Sequence, residues 1–206
     1  MLHSSLRLPA TLCFAAFLAA TGCRTQPERR ASGVDSGTNS TDRKKPEGDA
    51  ALIDNALSAA PVDIANGATV VLRRDGVMRT LREGSNGWTC FPDNPSLPGN
   101  MPMCVDRETR DWFRAFAALQ SPPKNRPIGI SYLMQGTWFP SADDPNVTPA
   151  PGMHGTSTGP MLMIVNASPA MLAGYPKGAA NPGAPFVMYA GTPYEHLMIP
   201  IERPTR

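Results

Sequence analysis

The sequence predicts an α+β fold, a mainly antiparallel sheet with two helices, one disulfide and long Pro/Gly-rich loops. Three observations carry this expectation. Two segments repeat apolar residues at helical spacing, about six short apolar runs have strand chemistry, and two cysteines bracket one Pro- and Gly-rich stretch. With hairpin-length links at only some joints, helices laid against one sheet are the simplest arrangement.

The first helix spans about Ala50 to Ala60, where Asp49 can cap it, Leu52, Ile53, Ala56, Leu57 and Ala60 share a face, and Pro61 follows. A hairpin comes next. Thr69 to Arg73 and Val77 to Leu81 flank Asp75-Gly76, and a three-residue loop, Arg74-Asp75-Gly76, sets Leu72 opposite Met78. A two-residue loop instead opposes Leu72 to the charged Arg79, so the longer loop is preferred. Gly87 to Phe91 reads as a strand that leads into the disulfide loop. The second helix starts at Asp106, a good N-cap, and places Trp112, Phe113, Phe116, Ala117 and Leu119 at helical spacing until Ser121-Pro122-Pro123 stops it. Strands follow at Gly129 to Met134, Met161 to Val165, Pro185 to Tyr189 and His196 to Pro200, with a helical turn at Ser168 to Ala173.

Ahead of this domain the chain is of a different kind. One positive charge, Arg7, precedes an apolar stretch from Thr11 to Ala20 that falls short of the roughly 20 residues needed to cross a bilayer. Small residues and then Cys23 follow, as at the end of an export signal. Ala20-Thr21-Gly22-Cys23 resembles the bacterial lipobox, with Ala20 where Leu is usual. The expected organisation is therefore a signal peptide at 1–22, a lipid-attachment cysteine and disordered tether at 23–48, and a single globular domain at 49–206. It implies a lipid-anchored protein of a bacterial cell envelope, facing the periplasm or exterior, with the membrane as a partner through the anchor. Residues 24–48 hold six basic and four acidic residues and almost nothing apolar, a composition that cannot form a core.

Cysteine usage fits the same compartment. Cys13 leaves with the signal and Cys23 takes the lipid, so Cys90 and Cys104 remain as a pair for an oxidising environment to join. Two thiols 14 positions apart, with no second Cys pair or neighbouring His, make a poor zinc pattern. From Asp49 onward 12 Lys and Arg stand against 13 Asp and Glu, a net charge of −1, so no basic face for nucleic acid is expected.

The segments Gly87-Trp88-Thr89-Cys90-Phe91-Pro92, Gly129-Ile130-Ser131-Tyr132-Leu133-Met134-Gln135-Gly136 and Gly191-Thr192-Pro193-Tyr194-Glu195-His196-Leu197-Met198-Ile199-Pro200, with Pro102 to Asp106, resemble a family of uncharacterised exported bacterial proteins. The resemblance spans roughly Ala51 to Ile201. It implies one secreted domain and carries no activity. In that family a His often stands where this chain has Met161, so the resemblance gives His196 no histidine partner.

Candidate chemistry is sparse. His196, in the turn with Tyr194 and Glu195, has an unperturbed pKa near 6.5 that suits a metal ligand or a proton carrier. His154 lies in the Pro140 to Pro160 loop, ten residues after Asp144. A hydrogen-bonded structural role for His196 and a surface role for His154 are the default readings. Burial of His196 with its bonding satisfied would remove it from a metal (Cu or Zn) or hydrolytic centre. Met101, Met103, Met153, Met161, Met163, Met188 and Met198 offer soft thioethers for Cu(I), but most lie in strands whose alternation a core requires. Ser157 with a histidine suggests hydrolysis, yet no nucleophile elbow, zinc-binding His-Glu-x-x-His or phosphate loop is present. No catalytic residue or cofactor is assigned. The aromatic residues Trp88, Phe91, Trp112, Phe113, Trp138 and Phe139 give a binding class, although Trp112 and Phe113 have core spacing. Trp138-Phe139-Pro140 opens the long loop, where an exposed Trp138 motivates a binding surface and one buried against the sheet leaves an ordinary connection. A binding or structural module acting on an unidentified protein or small-molecule ligand is the expected function.

Overall fold

A computed structural model describes residues 47–202. The segments expected to be a signal peptide (1–22) and a lipidated Cys23 with its tether (23–48) lie outside them, apart from Glu47 and Gly48. The described residues form an α+β fold with a mostly antiparallel sheet, one disulfide, ten strands and four helices, two helices more than expected. Both added helices are single turns, and one of them, Pro169–Leu172, falls at the helical turn expected from Ser168 to Ala173. No helix among the described residues is long and apolar enough to cross a membrane.

Helix α1, Asp49–Leu57, buries Leu52 and Ala56. Gly48, not Asp49, occupies its N-cap, and no side chain bonds there. Asp49 instead sits in the first turn and receives both guanidinium nitrogens of Arg79 at 2.7 and 2.8 Å, which holds its carboxyl below the usual range. The helix stops short of Ala60 because Pro61 disfavours helical backbone in the residue before it. Pro61 then begins α2, Val62–Ala65.

Strands β1, Thr69–Arg74, and β2, Val77–Arg82, form the hairpin with a two-residue turn. Arg74 pairs with Val77 and Leu72 with Arg79, one residue tighter than expected. Asp75 at φ 52° and Gly76 at φ 77° supply the two left-handed residues that such a turn requires. Opposing Leu72 to Arg79 is no penalty here, because Arg79 is exposed and paired with Asp49. A register shift beside Val70 then returns Leu81 to the packing around α1.

Strand β3, Thr89–Phe91, lies parallel to β1 and antiparallel to β4, Met103–Val105, with Cys90 directly opposite Cys104. The disulfide joins them at a Cα separation of 4.0 Å, fully buried beneath α1. Helix α3, Arg107–Ala117, opens on Asp106, whose carboxylate accepts the Thr109 amide at 2.8 Å and the Ile130 amide at 2.8 Å. One cap thus clips the helix start to the next strand. Leu119 does not join the buried face. It lies past the helix end at φ 54° and is 76% exposed.

Strands β5, Gly129–Leu133, β6, Thr137–Phe139, β7, Thr156–Thr158, and β8, Met161–Val165, follow, then helix α4, Pro169–Leu172, and strands β9, Phe186–Met188, and β10, His196–Pro200. The main sheet runs β2-β1-β3-β4-β5-β8-β10-β9, while β6 and β7 pair as a separate ribbon. Helix α3 covers one face over Leu133, Met161, Met163, Val165, Phe186 and Met198. The opposite face is covered by α1 over Val70, Cys90 and Cys104, and near α4 by Leu172, Val187 and Leu197. Gly129 permits the close approach of α3, since a Cβ there would stand 2.6 Å from the Thr109 backbone nitrogen.

Candidate functional site

The expected turn before β10 is present. Tyr189 adopts φ 55° and Gly191 φ 77°, the Thr192 hydroxyl donates to the Tyr189 carbonyl at 2.7 Å, and the Thr192 oxygen accepts the Tyr194 amide at 3.1 Å. Glu195 spends its carboxylate on this turn, accepting the Gly191 amide at 3.1 Å. The turn delivers His196 to the α3 face of the sheet, opposite Met188.

His196 is only 2% exposed. Its Nδ1 donates to the Tyr194 carbonyl at 2.8 Å, which leaves Nε2 as the unprotonated nitrogen of the neutral ring. Trp112 and Tyr189 meet the imidazole edge to face at centroid distances of 5.2 and 5.5 Å. Phe116 stacks on Trp112 and on Tyr189 and meets Tyr194 edge-on at 4.9 Å. Burial in this apolar shell drives the His196 pKa down to about 4, opposed by the Tyr194 carbonyl. Tyr189 is pushed up by burial and by the negative charge of Asp144. The imidazole is therefore a neutral member of the core.

His154 stands elsewhere, exposed in the loop before β7, as are Asp143 and Asp144. Their amides both donate to the Ser141 hydroxyl, at 3.1 and 3.0 Å, an ordinary loop-closing turn. Among the described residues no three His, Cys, Asp or Glu side chains gather where they could hold a metal ion. The methionines disperse as well. Met161, Met163, Met188 and Met198 are buried under α3, Met103 packs against them, and the Met101 sulfur accepts the Trp138 amide at 2.7 Å.

The aromatic pair that opens the long loop divides between two environments. Phe139 is buried and packs 6.2 Å from Phe186, while Trp138, one residue earlier, must point the other way in the strand. Trp138 pairs with Ser157 across the β6–β7 ribbon and is half-buried. Its six-membered ring lies against Gly155, where a Cβ would come within 2.5 Å. The indole borders a cavity of about 360 Å³ whose one wall is Ser96, Leu97 and Pro98 of the disulfide loop and whose other is Pro149 to Met153. No lining residue is charged. A second depression, about 440 Å³ and more open to solvent, borders Asp143, Thr156 and Lys177.

Sequence reasoning singled out Trp138 and the long loop but missed the opposite wall. The signal available was the run Asn94-Pro95-Ser96-Leu97-Pro98-Gly99 inside a disulfide-closed loop, a shape that holds Leu97 and Pro98 at the surface. No protein-family model, curated protein or solved structure matches the chain.

Proposed function

We propose that the chain is a binding module of a bacterial cell envelope, held at the membrane by an acylated Cys23 and taking its ligand in the groove at Trp138. The observation that carries the binding reading is the half-buried Trp138, set beside an uncharged cavity between two loops that other structure holds in place. The disulfide closes the loop that carries one wall, pairing of β6 with β7 closes the loop that carries the other, and the Met101 sulfur holds the Trp138 amide. A cavity of this composition favours an uncharged group with an apolar face stacked on the indole. Sugar rings and aliphatic or prolyl side chains of an extended peptide both have such faces. Anchoring raises the local concentration of the module near its ligand, which strengthens a weak groove without new contacts. A metal or hydrolytic centre at His196 is the alternative class, and nothing in the surroundings of that buried, bonded ring favours it.

Titration with soluble peptidoglycan fragments and with a proline-rich peptide, followed by tryptophan fluorescence, tests the groove. The parent protein is expected to give a saturable change with at least one probe, and Trp138→Ala to lose it while keeping its far-UV circular dichroism. No saturable change with either probe, or an equal change in the variant, rejects the groove. Fatty-acid labelling in cells tests the anchor, and label that persists in Cys23→Ala rejects it.

A further inference from the structure

The β1–β2 hairpin runs past the part of the sheet that the helices cover. Leu72 is the last buried residue of β1. Arg73 and Arg74 beyond it are exposed, as are the first four residues of β2, Val77 to Thr80. At about 3.4 Å per residue the Asp75-Gly76 turn stands roughly 10 Å beyond Leu72. Val77 and Met78 are 66% and 58% exposed. They are consecutive in a strand, so their side chains leave opposite faces of the hairpin, and the same holds for Arg73 and Arg74.

The charges at the tip are equally distinctive. Arg79 is held by Asp49, and Arg82 donates to the carbonyls of Ala65 and Ala68. Arg73 and Arg74 make no ion pair among the described residues. The acids adjacent in sequence are Asp75 in the turn and Glu83 after β2.

We propose that this tip is a membrane-contact element that inserts into the interfacial region of an anionic lipid surface. Two features select lipid over a protein partner. One flat protein surface covers only one face of a hairpin, whereas a lipid interface surrounds the tip and covers Val77 and Met78 together. Guanidinium groups on both faces match acidic headgroups all round, each contributing about fivefold in partitioning near such a surface. Val77, opposite Arg74, stands about 7 Å beyond Leu72, within the depth of about 5–10 Å at which apolar side chains meet the boundary between headgroups and acyl chains. This element is independent of the Trp138 groove and of acylation at Cys23.

The test uses the full chain with Cys13→Ser and Cys23→Ser, so that the anchor makes no contribution, and a polarity-sensitive dye on Val77→Cys. Vesicles of phosphatidylcholine with phosphatidylglycerol should shift the dye emission to the blue and expose it to quenching by headgroup-proximal spin-labelled lipid. Pure phosphatidylcholine should give a much smaller shift. The same dye on Leu119→Cys should stay in a water-like environment. Adding Arg73→Glu and Arg74→Glu should weaken partitioning of the Val77 probe at least about 25-fold, from the loss of two fivefold contributions. Water-like emission at Val77 with anionic vesicles overturns the proposal, including the case in which the hairpin meets a protein instead. So do equal shifts at Val77 and Leu119, or insertion that charge reversal leaves unchanged.

Discussion

Trp112 and Trp138 place the same side chain in two different settings. Trp112 is 3% exposed, on the buried face of α3, enclosed by Phe113, Phe116, Tyr194 and His196. Trp138 stands on a three-residue strand, half-buried, beside a cavity walled by two Pro-containing loops. The first region is denser in aromatic and titratable groups, yet its histidine is sealed off, with Nδ1 bonded to the Tyr194 carbonyl. The second has no charged wall residue and is open. Reactive residue types thus mark the core here, and access marks the candidate site.

Substitutions that separate the two regions should rank accordingly. Trp112→Ala should be the most damaging, costing about 3–5 kcal/mol because it empties the centre of a packed cluster. Urea unfolding measures this, and a loss as small as that of Trp138→Ala would erase the distinction between the regions. Removing the disulfide with Cys90→Ala and Cys104→Ala comes next, at about 3 kcal/mol from the loop entropy returned to the unfolded chain. It should also weaken binding at Trp138, since one wall of the groove lies inside the closed loop.

Acid should act on the first region alone. His196 has a folded pKa of about 4 against an ordinary value of 6.5. The unfolded state therefore binds the proton more readily, and stability is lost as pH falls from about 6.5 towards about 4. The part due to this residue is on the order of 2 kcal/mol by pH 4.5. Comparing unfolding at pH 7 and pH 4.5 in the parent and in His196→Gln should show the variant with a shallower loss, and parallel losses would place the titration elsewhere. Trp138→Ala should change stability less than Trp112→Ala, by about 1–2 kcal/mol, because the half-buried indole packs on Gly155 but lies outside the buried cluster. A larger loss would make Trp138 a core residue and remove the contrast.

Much of the fold was legible in residue patterns. The alternation of Met161, Met163 and Val165 against Leu162 and Ile164 appears as one buried face under α3 and one partly buried face, on which Ile164 packs near α4. Asp106 caps α3 as its residue type implies, and Cys90 pairs with Cys104. Other elements left weak traces. Strands β4, β6 and β7 are three residues each, too short for a period to register, and exist because a neighbouring strand satisfies their backbone groups. The hairpin register differs from the expected one because Asp49, 30 positions away, supplies the partner of Arg79 and removes the cost of a cross-strand Leu72–Arg79 pair.

The candidate site divides in the same way. By itself the sequence determined that Trp138 opens a long loop and that a cysteine pair closes another, because turn residues, aromatic runs and thiols carry local chemistry. Only the tertiary structure decided that these loops face each other across Trp138 and that His196 is enclosed. Those outcomes depend on strand order and on α3 packing over the sheet, relations between distant segments that no local pattern encodes.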